Sequence, residues 1–135
     1  MLVGLAQYLH GQGVVTFDMA GTGGDCFIGT LPPSPDEAVA LVLTQGRRPS
    51  DRLGYDAPAV QVLVRATTEP QAHARALAIY HALHGARFYT LGDGTFVLWS
   101  SAVHYPRWWE QDRNGRVVYV TTFDFEIRAT GGPRE

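Results

Sequence analysis

The sequence predicts an α+β domain in which an antiparallel or mixed β-sheet packs against one main α-helix, with a short helix at the N-terminus. Three observations carry this. Residues 59–66 (AVQVLVRA) place Val60, Val62 and Val64 on one face and Gln61, Leu63 and Arg65 on the other, the period of a strand. Residues 116–128 (RVVYVTTFDFEIR) alternate in the same way, with Tyr119, Thr121, Phe123, Phe125 and Ile127 on the core face. Between them, Ala74, Leu77, Ala78, Ile79, Tyr80 and Leu83 recur at helical spacing. At 135 residues and 14.8 kDa the chain fits a single domain spanning 1–135.

In chain order, Leu2, Leu5, Ala6 and Leu9 form an apolar stripe ahead of Gly11 and Gly13, which predicts a helix over 2–10. Residues 14–18 and 25–30 read as strands on either side of a Gly-rich loop, and the LPPSPD run at 31–36 breaks the second. Residues 37–44 (EAVALVLT) are short and rich in Val, and read as a strand. Residues 46–58 form a long exposed loop. Thr68 caps a helix over 69–84, with Pro70 in its first turn and Gly85 as its stop. Asp93-Gly94 and Asn114-Gly115 mark turns, so that strands 95–103 and 116–128 form an antiparallel pair joined near Asn114.

Composition narrows the chemistry. All 11 basic residues are Arg and none is Lys, which removes a P-loop and a lysine Schiff base. The arginines are scattered and the net charge is -2, which argues against duplex binding through many phosphates. Cys26 is the one cysteine, so there is neither an internal disulfide nor a cysteine zinc pair, and a reducing compartment is expected. The N-terminal stretch is too short and too interrupted for a signal peptide or span, which predicts a soluble, unexported chain.

No motif points to catalysis. His81 and His84 share a helix face with His73 two turns away, yet no further ligand accompanies them, so no metal is expected. Gly21–Gly24 (GTGG) lacks the spacing and the following helix of a nucleotide site, and Cys26 lies in an apolar run that favours an inert thiol. No pair of carboxylates stands out as acid and base, so no cofactor is expected and no enzyme. The residues that do stand out suit a partner interface: Arg107, Trp108 and Trp109, with Tyr105, in the connection before the last strand, and Arg47, Arg48 and Arg52 in the long loop.

Three segments resemble the tail terminator proteins of tailed phages, often called minor capsid proteins: GDCFIGTLPPSPDEAVAL from Gly24, YDAPAVQVLVRATTEPQAHARALAIYHALHG from Tyr55, and QDRNGRVVYVTTFDFEIR from Gln111. The last departs from the family's commoner Gly-Arg-Asp-Glu-Asn-Gly-Arg turn in having Glu110 and Gln111 ahead of Asp112 and Arg113. The resemblance implies a virion protein, assembled in the host cytoplasm. It caps the head-proximal end of the tail tube as a ring, usually a homo-hexamer, and meets the tube protein and the head-tail connector. DNA would pass its lumen without specific binding, and no membrane is involved. A neck or head-completion protein is the nearest competing reading. A small hydrolase or ligand-binding domain is the competitor from another class, and it requires a deep pocket near His81, His84 or Cys26.

Overall fold

The computed structural model describes residues 1–20, 23–46 and 55–128. Its elements are α1 (Leu2–Gly11), β1 (Cys26–Ile28), β2 (Ala38–Thr44), β3 (Tyr55–Asp56), β4 (Ala59–Ala66), α2 (Glu69–Leu83), β5 (Ala86–Thr90), β6 (Phe96–Ala102), β7 (Arg107–Gln111) and β8 (Val117–Arg128). The strands form one eight-stranded sheet in the order β1-β2-β4-β8-β6-β5, with β3 and β7 also paired to β8. Only β1 and β2 run parallel among the described strands, so the sheet is mixed. This is the α+β architecture that the sequence predicts.

Alternation in the central strands gives the sheet its two faces. Val60, Val62 and Val64 of β4 lie beside Phe123, Thr121 and Tyr119 of β8, and these rows face α2. Across them α2 lays Ala72, Ala76, Ile79 and Leu83, all buried. The two alanines leave room for close approach, and Ile79 and Leu83 supply the apolar bulk. Helix α1 completes this layer with Leu5, Ala6 and Leu9. The α2 boundaries follow its caps: Thr68 Oγ1 accepts the Gln71 N–H at 3.4 Å, Pro70 lies in the first turn, and the chain leaves the helix through Gly85 at φ +76°.

The opposite face is closed at one end by the proline-rich 31–36 segment. Arg65 donates through Nη2 to the Pro35 carbonyl at 2.6 Å and through Nε to that of Asp36 at 3.1 Å. Arg116 reaches the Pro33 carbonyl at 2.6 Å, Asp36 at 3.2 Å and Asp112 at 2.7 Å. Two nearly buried guanidiniums thus satisfy backbone carbonyls of a segment that, being rich in proline, supplies few backbone donors of its own. Beneath them Ala38, Ala40, Val118 and Val120 are buried on the face that alternation alone would leave partly wet.

Several expectations need correction. Residues 14–18 pair as no strand; instead Thr16 caps the start of β1, its carbonyl accepting the N–H groups of Asp25 at 2.8 Å and Cys26 at 3.1 Å. Gly24 permits this approach, since a Cβ there would sit 2.6 Å from the Thr16 carbonyl oxygen. The strand expected at 25–30 shortens to Cys26–Ile28. Residues 86–90, left unassigned by pattern, form β5, and Tyr55–Asp56 of the long loop forms β3. The Asn114 turn joins β8 to β7 rather than to β6. Both lie along the same side of β8, and residues 103–106 on that side oppose only 121–122 of β8.

Phe123 is fully buried between β4 and α2. Phe123→Ala should cost about 3–5 kcal/mol of unfolding free energy, measured by urea titration of the purified chain.

Candidate functional site

Strand β7 forms because residues 107–111 pair with β8 in the register Arg107 to Val120, Trp108 to Tyr119, Glu110 to Val118 and Gln111 to Val117. Arg107, Trp108 and Trp109, expected in a connection, are therefore strand residues. The register shifts between Trp108 and Glu110, so Trp109 is the extra residue of a bulge. All five side chains are exposed, and among the described residues no strand pairs with the outer edge of β7. Trp108 is 51% and Trp109 44% exposed, far above ordinary burial for so large an apolar ring. The Arg107 guanidinium lies 5.6 Å from the Trp109 ring centroid, so one cation and one aromatic plane are presented together.

Trp108 shares its register row with Tyr119 and so lies on the α2 side of the sheet. There the rings form a continuous shelf. His73 stacks on Tyr119 at 5.3 Å, and Tyr105 sets its edge against His73 at 6.2 Å and Tyr80 at 5.3 Å. Tyr80 stacks on His84 at 4.8 Å, and His84 Nδ1 accepts the Ala102 N–H at 3.0 Å. The Tyr119 hydroxyl donates to Glu69 Oε2 at 2.8 Å; burial, then that bond and the Glu69 charge, push its phenol above the ordinary value. The histidines singled out for possible ligation are thus partners in an aromatic ladder. No group of three or more His, Cys, Asp or Glu that could hold a metal ion occurs among the described residues.

At the other end of the same rows stands β1. Trp108, Tyr119, Val64, Val39 and Cys26 lie in register across β7, β8, β4, β2 and β1. Beyond β1 opens a cleft of about 700 Å³, lined by Gly23, Gly24 and Ser34 and by three carboxylates, Asp25, Asp36 and Glu37. Asp25 is bound by Arg75 and also accepts the Thr16 N–H at 2.9 Å, while Asp36 pairs with Arg116 at 3.2 Å. Glu37 is exposed at the rim. A smaller cleft of about 420 Å³ lies over the arginine clamp between Leu31, Pro33, Arg65 and Arg113. His81, His84 and Cys26, the residues a hydrolase would need, line neither. Burial foremost, with the Asp25 charge adding and Arg75 opposing, pushes the Cys26 thiol up to about 12, so it stays protonated and unreactive.

Arg47, Arg48 and Arg52 lie outside the described residues. Pattern reading missed Phe88, which is 69% exposed on β5 at φ +55° while its neighbours Arg87 and Tyr89 pair with β6. It missed Val103 as well, 57% exposed at the start of the detour into β7. No turn residue marks either position. What could have exposed β7 is the length mismatch between 95–111 and the single strand 117–128.

The β7 edge, unpaired among the described residues, thus joins open strand hydrogen-bonding groups to two half-exposed indoles and a guanidinium on a one-sheet α+β scaffold. The chain belongs to the bacteriophage tail terminator protein family, whose model matches residues 8–129. It is a phage structural tail protein. A chain of the virion of the native gene transfer agent (GTA) particle shares the fold with a TM-score of 0.59 and 16% identity, over 95% of this chain and 98% of that one. No curated protein sequence matches the chain.

Asp112 fixes the turn into β8. Its desolvation favours the neutral acid, but the N–H of Arg116 and that of Asn114, with the Arg116 guanidinium, outweigh this and hold the carboxyl below the usual range. A lowered folded-state value stabilises above the unfolded value of about 4 and is lost as pH falls through the folded one. Asp112→Asn should therefore unfold at lower urea than the parent from pH 5 to 7, and the gap should close as pH drops below about 4 in unfolding titrations.

Proposed function

We propose that this protein caps the head-proximal end of a phage tail tube as a closed ring, most simply a hexamer, stopping tube growth and presenting a surface to the head-tail connector. The role is structural and calls for no catalysis or cofactor. The carrying observation is the family match over residues 8–129. The surface supports it: a subunit that repeats around a ring needs a strong patch on its flank, and the Arg107, Trp108 and Trp109 edge supplies aromatic and guanidinium anchors of the kind that dominate interface energies. The fold shared with a chain of the gene transfer agent virion supports the same setting, in the virion after assembly in the host cytoplasm. Arg47, Arg48 and Arg52 are proposed as a second contact region. In this reading DNA crosses the lumen without sequence-specific contacts, since the arginines form no stripe along one element.

Light scattering across concentration, with negative-stain imaging, tests the reading. A particle of about six times the 14.8 kDa chain mass, or a monomer that closes into a ring on added tail tubes and halts their growth, is expected. A monomer that leaves tube growth unchanged overturns it. The Trp108→Ala/Trp109→Ala variant should keep its circular dichroism and melt within about 5 °C of the parent, because both rings are half exposed. Its association should weaken by about thirtyfold, read by sedimentation velocity.

A further inference from the structure

We infer that the ring is built head to tail across the sheet, the β7 edge of one copy seating against the acidic β1 margin of the next, so that Arg107 and Trp109 meet Glu37 of the neighbouring copy. The inference rests on the ring reading above and adds the contact that makes it.

The two margins lie at opposite ends of the same register rows. Trp108 leads through Tyr119, Val64 and Val39 to Cys26, and Glu37 immediately precedes the β2 residue Ala38, which pairs with Arg65. Four steps of about 4.8 Å across five strands put Trp108 and Cys26 roughly 19 Å apart on opposite edges of the sheet, and Glu37, off the end of β2, stands one strand in from the β1 edge. A contact between them is heterologous, and a heterologous contact repeats until rotation closes it.

The margins also differ in chemistry. The start of the β1 edge is closed, because the Thr16 carbonyl takes the N–H groups of Asp25 and Cys26. It offers a cleft and carboxylates instead of a strand to pair with. Arg75 and Arg116 take up much of the charge on Asp25 and Asp36, whereas Glu37 is exposed on the rim. The β7 margin is the converse: a strand edge unpaired among the described residues, with Arg107 displayed over the Trp109 ring, Glu110 exposed beside them and Arg113 exposed just beyond the strand. A guanidinium fork matches a carboxylate, and the cleft of about 700 Å³ has the volume to receive an indole ring. A second copy of this chain is the occupant that supplies both halves, one on each flank.

The test is charge reversal read by light scattering and negative stain, on variants whose unfolding transitions match the parent. R107E and E37R alone should each raise the concentration for half-assembly by about tenfold or more, because like charges then face each other. Combined in one chain they should restore the ring. A one-to-one mixture of the two single variants should also restore it: alternating copies set the reversed edge against the reversed cleft and the native edge against the native cleft. If wild-type rings form and both single variants assemble as the parent does, the contact is overturned and the ring reading stands. Failure of both the double variant and the mixture, with single variants impaired, also overturns the pairing. A two-fold dimer through β7 overturns it too. A wild-type chain that closes no ring, alone or on tube ends, overturns both readings.

Discussion

The β8 ladder is the constraint on which the rest of the structure depends. Its register with β4 runs unbroken from Ala66 opposite Val117 to Ala59 opposite Asp124, and β3 extends the same side to Arg128. On its other side β6 holds the C-terminal half and β7 the N-terminal half. Phe123 and Phe125, fully buried under the helical layer, lock this register, since a slip by one residue would turn the phenylalanines to the opposite face and bring Asp124 and Glu126 into the core. Fixing β8 therefore fixes β7. The exposed Arg107, Trp108 and Trp109 owe their position to residues buried in the row beside them.

The second organising interaction is polar. Arg65 and Arg116 stand where a one-layer sheet would expose its back face, and each donates to carbonyls of the proline-rich segment. Such guanidiniums are costly to bury, and the cost is met by well-formed hydrogen bonds and by Asp36 and Asp112. Burial and the neighbouring Arg116 charge pull Arg65 below its usual value, partly offset by Asp112 and Asp36. With the segment pinned, Asp36 and Glu37 are set at the mouth of the cleft beside β1. Rows of apolar residues thus set the tryptophans on one edge of the sheet, and the clamp of arginines sets the carboxylates of the cleft.

Much of this was legible in the sequence. Alternation announced β4 and β8, and the Thr68 cap with Pro70 and Gly85 announced α2 to within a residue, because each of these elements has one face buried along its whole length; the burial of Arg65, Val118 and Val120 on the other face of the sheet comes from the 31–36 segment and is not in the pattern. Elements with no buried face of their own were harder. Strand β7 exposes every side chain and so carries no alternation, and β5 is exposed apart from Ala86 and Tyr89. Residues 14–18 have the composition of a strand, but they cap the start of β1 through Thr16 alone and form no ladder. Trp108 and Trp109 stood out by residue type; their placement on a free edge required the register. The acidic cleft brings Asp25 together with Asp36 and Glu37 only through the parallel pairing of β1 with β2, a long-range contact that spacing does not reveal.

The most direct test of the account is an electron cryomicroscopy reconstruction of tail-tube ends incubated with the purified protein. The account predicts a ring of added density on one end of each tube, with β7 of every subunit against the β1 flank of the next. Bare tube ends, or subunits bound singly without lateral contact, would contradict it.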